Sequence, residues 1–106
     1  MFAGRTGLTE RSSMREKQIE QALCRAVREK GGIALKLASP SYAGLPDRLV
    51  LFPGGHLAFV EVKAPGKKPR PLQEQRLEFL SRLGFQVHVL DSAERIGELL
   101  DEVRGS

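Results

Sequence analysis

Two carboxylates and one lysine stand out because they fall within segments whose pattern otherwise predicts the two strands of a hairpin. Asp47 follows Pro46 at the start of the first segment, and Glu61 and Lys63 lie at the end of the second. Ionised side chains are costly to desolvate inside a small sheet, so these three form either a solvated surface or a working site. A divalent cation held by hard oxygen ligands, with a lysine beside it, suits chemistry on phosphate esters.

The register of the hairpin decides whether the two carboxylates can act together. Side chains alternate along a strand, so Glu61 and Val62 point to opposite faces. A two-residue loop would place Asp47 opposite Val62, whereas a three-residue loop at 53–55 places it opposite Glu61. We expect the three-residue loop, because Gly55 suits the left-handed position that this loop requires.

With that register, the two carboxylates repel each other, so a bound cation or a raised pKa must compensate. Lys63 alone cannot neutralise both charges, and a cation is therefore the simpler answer. The backbone carbonyl of Val62 is a further hard oxygen ligand. A donor set made only of oxygens favours Mg²⁺ or Mn²⁺ over zinc.

Polar side chains on two predicted helices are candidates to complete the site. Glu16 and Glu20 lie one turn apart beside the apolar stripe of the first helix, and either could reach over the edge of the sheet. Glu16 also fits a capping box with Ser13. Gln73 shares a helical face with Leu77 and therefore points inward, where a buried amide needs partners.

Apolar periodicity and turn formers predict a single α/β domain with the element order α-β-β-β-α-β-α. A helix links the third strand to the fourth, which predicts a parallel pair beside the antiparallel hairpin and hence a mixed β-sheet flanked by helices. An Asp91–Glu94 capping box is expected to start the last helix. Residues 1–13 lack periodicity and are expected to form a mobile tail, with the domain at 14–106. The expected helices cover 14–30, 71–83 and the segment after Asp91, and the expected strands cover 33–37, 48–52, 57–63 and 85–90.

Composition limits the class of partner. The chain has 106 residues, with 17 Lys and Arg against 13 Asp and Glu, a net charge of +4. Lys67, Lys68 and Arg70 follow the suspected site closely, which favours a polyanionic partner. A single cysteine, Cys24, excludes an internal disulfide and a cysteine-based zinc site. Without an apolar run of membrane-spanning length or a signal segment, we expect a cytoplasmic protein with no membrane partner.

The ordered motifs resemble the virus-type replication-repair nuclease (VRR-NUC) domain, a branch of the PD-(D/E)XK nuclease superfamily. The resemblance covers nearly all of residues 16–91. It is carried by Gly44-x-Pro46-Asp47, Glu61-x-Lys63 and Gln73.

This resemblance implies a restriction-endonuclease-like fold and Mg²⁺- or Mn²⁺-dependent cleavage of phosphodiester bonds in DNA. Asp47 and Glu61 would be metal ligands, and Lys63 would orient or activate the attacking water. The helix glutamate of the family matches Glu20 best, with Glu16 as the second choice. Gln73 corresponds to an inward glutamine near the family's site.

Stand-alone members of the family look like phage or prophage proteins and resemble Holliday-junction resolvases. The resemblance therefore implies a homodimer that acts on branched DNA in the cytoplasm of a bacterial host. Lys67, Lys68 and Arg70 would then contact backbone phosphates. Two alternatives stay open: a non-catalytic, basic nucleic-acid-binding module with the same fold, and a basic phage inhibitor or structural subunit.

Overall fold

The structure, a computed structural model, describes the backbone of residues 2–105 and the side chains of residues 15–105. The predicted α/β class and element order are confirmed. In this part of the chain, no helix is both long and apolar enough to cross a bilayer. The helices are α1 (Phe2–Glu29), α2 (Pro71–Arg82) and α3 (Ile96–Gly105), and the strands are β1 (Ile33–Lys36), β2 (Arg48–Phe52), β3 (His56–Val62) and β4 (Gln86–Leu90).

The four strands form one mixed sheet in the order β1-β2-β3-β4. The first three strands are antiparallel, and β4 pairs with β3 in parallel after the crossover through α2. Phe52 pairs with His56, so the hairpin turn contains the three residues 53–55. Gly54 and Gly55 take φ values of +92° and +82°, which glycine adopts without the steric cost that a Cβ would bring.

One face of the sheet packs against α1 and α3 to form the core. Alternate strand residues point to this face, as the two-residue period of a strand requires. Leu23 of α1 and Leu100 of α3 are fully buried here, and each contributes about 1.5–3 kcal/mol by leaving water. The strand residues buried in the same cluster include Val50, Phe52, Ala58, Val60, Val62 and Leu90.

The beginning of α1 differs from the prediction. α1 begins at Phe2, so Glu16 lies well inside the helix and the expected capping box with Ser13 at the helix start is wrong. Good helix formers between Thr9 and Glu16 allow α1 to continue through this segment. That residues 1–13 form a mobile tail stays a prediction, and Met1 lies outside the described residues.

The start of the last helix also needs a correction. Ser92, and not Asp91, is the cap, because its extended backbone lets the side-chain oxygen accept a hydrogen bond from the N–H of Glu94 at 3.2 Å. A short 3-10 turn, Ala93–Arg95, follows before α3 begins at Ile96. Serine is as good a cap as aspartate, so the backbone conformation decides between these neighbours.

Candidate functional site

The hairpin places Asp47 and Glu61 at the same end of the sheet. Arg48 pairs with Val60, and one further step of the same register sets Asp47 opposite Glu61. The Asp47 carboxylate is held there because its Oδ2 accepts a hydrogen bond from the N–H of Val62 at 2.9 Å. The expectation of an odd register is therefore confirmed, and the condition that it set for a paired-carboxylate site is met.

Glu61 is almost completely buried, with 1 % of its surface exposed. Its Oε2 lies 3.2 Å from Nζ of Lys63 and accepts a hydrogen bond from Nε2 of Gln73 at 2.8 Å. Its Oε1 is also buried, yet it has no hydrogen-bond partner among the described residues. A buried carboxylate oxygen without a partner is costly, so this atom points to a ligand.

The environment raises the pKa of Glu61 above its ordinary value. Burial is the main cause and the negative charge of Asp47 is the second, while Lys63 acts in the opposite direction. The protein thus holds a carboxylate whose charge is only partly balanced by its neighbours. A cation between Asp47 and Glu61 would supply the missing balance.

Gln73 connects the start of α2 to the buried carboxylate. Its Oε1 accepts a hydrogen bond from the N–H of Arg70 at 2.9 Å, while its Nε2 donates to Glu61. Since the oxygen and the nitrogen each have a partner, the amide has one satisfied orientation. Pro71 is the first residue of α2, where its missing N–H has no consequence. The inward orientation expected for Gln73 is confirmed.

The loop that precedes Asp47 packs against α2, and these contacts hold the chain in position just before Asp47. Gly44 takes a φ of +86°, and a Cβ at this position would lie only 2.9 Å from Cγ of Leu72. Nε of Arg76 donates to the carbonyl of Ala43 at 2.9 Å, and the guanidinium lies 4.1 Å from the centre of the Tyr42 ring. The sequence prediction missed Arg76, although its spacing of four from Leu72 puts both side chains on one side of α2.

The two helix glutamates have different partners. Oε2 of Glu20 accepts a hydrogen bond from Nε of Arg48 at 2.8 Å and lies 3.4 Å from Nζ of Lys36. Oε1 of Glu16 accepts a hydrogen bond from the N–H of Ala64 at 3.2 Å. Glu20 is therefore balanced by two cations, whereas Glu16 binds the chain immediately beyond β3.

The basic segment between β3 and α2 lies at the same end of the sheet as the carboxylates. Lys67, Lys68 and Arg70 are all exposed. Gly66, with a φ of +80°, turns the chain here. These three positive charges adjoin the site and are available to an anionic ligand.

The donors fit a hard divalent cation. Asp47 and the orphaned Oε1 of Glu61 supply two carboxylates, and backbone carbonyls at the end of β3 are of the same chemical type. Among residues 15–105, no group of three His, Cys, Asp or Glu side chains is gathered as a metal cluster. Two carboxylates with water and substrate oxygens are the ligand set that Mg²⁺ commonly takes.

Known proteins resemble this chain in sequence and in fold. The sequence profile of the VRR-NUC domain matches residues 9–94. The chain is 52% identical over 81 residues to "Putative nuclease p44" of Acyrthosiphon pisum secondary endosymbiont phage 1, an alignment that covers 76% of this chain and 87% of the relative. A solved structure of a VRR-NUC domain matches with a TM-score of 0.77 and 30% identity, covering 82% of this chain and 95% of the other. The chain belongs to the VRR-NUC domain family.

Proposed function

We propose that this protein is a nuclease that hydrolyses phosphodiester bonds in DNA with the help of Mg²⁺ or Mn²⁺. The observation that carries the proposal is the buried Oε1 of Glu61, which has no partner within residues 15–105, in a site shared with Asp47. The name of the phage relative supports the same activity. Its phage origin also supports action in the cytoplasm of a bacterial host.

We assign the metal to Asp47, Glu61 and the backbone carbonyl of Val62. A bound Mg²⁺ or Mn²⁺ would polarise the phosphate and lower the pKa of a bound water. Lys63 lies beside Glu61, and its ammonium can orient the attacking water by hydrogen bonding and stabilise the negative charge that develops on the phosphate. Gln73 holds Glu61 in place by its hydrogen bond to Oε2.

A helix carboxylate completes the proposed site. The family resemblance favours Glu20, but the contacts support Glu16. Glu20 is held by Arg48 and Lys36, so its charge is already balanced. Glu16 bonds to Ala64 just beyond the Glu61-x-Lys63 strand, from where a rotamer change or a bridging water can connect it to the metal.

The exposed cations Lys67, Lys68 and Arg70 are the proposed contacts to backbone phosphates. Such contacts recognise the shape of a nucleic acid and not its sequence. We therefore propose branched DNA, such as a Holliday junction, as the preferred substrate. A four-way junction needs two symmetric cuts, and a C2 homodimer presents two sites with matching symmetry.

A cleavage assay on labelled four-way junctions, flaps and linear duplexes tests the proposal. We expect cleavage with Mg²⁺ or Mn²⁺, none in a chelator, and a loss of at least about a hundredfold for Asp47→Ala and Lys63→Ala. Lys30→Ala removes an exposed lysine at the far end of α1 and is the matched control for charge. Binding of DNA without cleavage under any metal would instead identify a non-catalytic module, and equal cutting of linear duplex would remove the preference for branches.

A further inference from the structure

A basic groove lies beside α1, outside the site described above. Its volume is about 490 Å³, and it is open to solvent. Of the described residues that line it, four are cations, namely Lys17, Arg25 and Arg28 of α1 and Arg48 of β2, and one is acidic, Glu20. Pockets for small molecules are mostly apolar, so a groove lined in this way favours a charged partner. We refer to it as the α1 groove.

Arg48 is held in position at one end of the α1 groove. Its Nε donates to Oε2 of Glu20 at 2.8 Å, and its Nη1 donates to the carbonyl of Ala34 at 3.1 Å. Nζ of Lys36 lies 3.4 Å from the same oxygen of Glu20, so one carboxylate faces two cations. A planar guanidinium that is already oriented suits the oxygens of a phosphate. Glu20 thus orients Arg48 without cancelling the positive charge at this end of the groove.

The remaining cations of the α1 groove lack acidic partners. Lys17, Arg25 and Arg28 are all exposed, and none of them takes part in an ion pair within residues 15–105. Arg25 and Arg28 lie three positions apart on α1, where like charges destabilise a helix. The groove therefore carries an excess of positive charge that a bound anion would offset.

The α1 groove begins beside the carboxylate site. Asp47 and Arg48 are consecutive, so their Cα atoms lie about 3.8 Å apart, and their side chains point to opposite faces of the sheet. The Asp47 side chain faces Glu61, whereas the Arg48 side chain reaches Glu20 on α1. An anionic polymer that lies in the groove would therefore reach the end of the sheet that holds the two carboxylates.

From there the cations follow α1 along the length of the sheet. Glu16 bonds to the chain just beyond β3, at the end of the sheet that holds the site. Gly31, just after α1, lies against the hairpin turn at the other end, since a Cβ built there would lie 3.6 Å from Cγ of Pro53. The stretch from Lys17 to Arg28 is about 16 Å long at the rise of an α-helix. This length and direction fit an extended anion that continues away from the site.

We propose that a duplex arm of the substrate DNA lies along the α1 groove, with its backbone phosphates bound by Lys17, Arg25, Arg28 and Arg48. Each strand of B-DNA carries one phosphate per roughly 3.4 Å of axis, so a track of this length matches about five base pairs. The proposal rests on DNA as the substrate in the function proposed above. It adds a second phosphate-binding surface, on different elements from the basic segment between β3 and α2.

Equilibrium binding over a salt series tests the proposal. Fluorescence anisotropy of a labelled four-way junction, with EDTA present to prevent cleavage, gives the Kd at each salt concentration. The double variant Arg25→Ala/Arg28→Ala should raise the Kd by about tenfold at low salt, and it should lower the slope of log Kd against log salt by about 0.9 for each lost phosphate contact. A circular dichroism melt checks that the variant folds.

Arg82→Ala is the matched control for this variant. Arg82, like Arg28, is an arginine in the last turn of its helix, and both are exposed. Arg82 belongs to α2 and does not line the groove. Its replacement should therefore leave both the Kd and the salt slope near the wild-type values.

The single cysteine of the chain reports directly whether the α1 groove is occupied. Cys24 lines the groove and is half-buried. DNA in the groove should block access of a thiol reagent, so alkylation of Cys24 by N-ethylmaleimide should slow severalfold at saturating DNA and low salt. High salt weakens phosphate contacts and should restore the rate of the free protein.

Four outcomes would overturn the groove: no binding of the junction at low salt, a double variant with the Kd of Arg82→Ala, an unchanged salt slope, or unslowed alkylation of Cys24 at DNA concentrations that saturate binding. Failure of the nuclease proposal gives a different result, because cleavage would be absent with every metal while DNA still protects Cys24. Conversely, metal-dependent cleavage together with unprotected Cys24 would remove only the groove.

Discussion

The side-chain amide of Gln73 bonds to the carboxylate of Glu61, with Nε2 2.8 Å from Oε2. Lys63 approaches that same oxygen, so both protein donors use Oε2 and leave Oε1 for a ligand. Because the other end of the amide holds the N–H of Arg70, the first turn of α2 and the buried carboxylate are positioned together. Gln73 is therefore a positioning residue.

Replacing Gln73 by alanine should weaken the site without abolishing it. Gln73→Ala removes one donor from a buried carboxylate and one acceptor from the start of α2, which should lower the free energy of unfolding by about 1–2 kcal/mol. Cleavage should fall by about tenfold, with the apparent affinity for Mg²⁺ reduced. Urea denaturation and metal titrations measure these effects, with the exposed Gln75→Ala as the control. Unchanged metal affinity in a folded Gln73→Ala would contradict the positioning role.

The raised pKa of Glu61 predicts how stability depends on pH without metal. The folded state holds the Glu61 proton more tightly than the unfolded state, so the free energy of unfolding is highest below the ordinary glutamate pKa. It falls as the pH rises through the raised, folded-state pKa. Glu61→Gln should remove this decline, and added Mg²⁺ should offset it in wild type only. Denaturation across a pH series, with and without metal, measures both; a decline that persists in Glu61→Gln would assign it to another group.

Substitution by glutamine should distinguish the roles of the two helix glutamates, Glu16 and Glu20. Glu16→Gln should reduce cleavage by about tenfold or more with little loss of stability, because the bond that Glu16 makes among the described residues is to a backbone N–H. Glu20→Gln should lower the free energy of unfolding by about 1 kcal/mol, because it weakens the bond to the half-buried Arg48. Its cleavage rate should stay near wild type. The opposite pattern in single-turnover kinetics would restore Glu20 as the catalytic carboxylate.

Gly44→Ala tests the loop that precedes Asp47. The new Cβ would need a left-handed backbone and would crowd Leu72, so we expect a loss of about 1–3 kcal/mol and lower activity through a displaced Asp47. Gly97→Ala is the control, because a Cβ there meets nothing within 4 Å and alanine favours a helix. Thermal melts measure the stability of both variants, and equal melting temperatures would show that the loop tolerates a side chain at Gly44.

Local pattern predicted the parts of this protein that depend on neighbouring residues. The hairpin register followed from one turn with two glycines, and the inward side of Gln73 followed from helical spacing. Side-chain pairs between segments that are far apart in the chain had no comparable pattern in the sequence. Glu20 lies 28 positions before Arg48, and only the packing of α1 on the sheet brings them together.

The face of the sheet opposite α1 and α3 is only partly covered, with Leu35 and Phe85 exposed, and the sequence pattern does not predict this. Alternating strands predict which residues share a face, as Leu49 and Leu51 do, but not whether a helix will cover that face. Coverage depends on where α2 lies across the sheet. The cap at Ser92 is a similar case, since its neighbour Asp91 has equal intrinsic preference and only the backbone conformation separates them.

The three-residue turn at 53–55 has a consequence for how this chain tolerates length changes. It lies at the opposite end of β2 from Asp47, roughly 17 Å away for five residues of strand, and contacts no part of the site. If the turn keeps three residues after an insertion or deletion of one residue there, the pairing shifts by one position and Asp47 no longer faces Glu61; if the pairing of Phe52 with His56 is kept, the turn must change its length and type. Substitutions at the exposed Pro53 should be tolerated, whereas a single-residue insertion or deletion in this distant turn should lower the proposed activity wherever it shifts the pairing of β2 with β3.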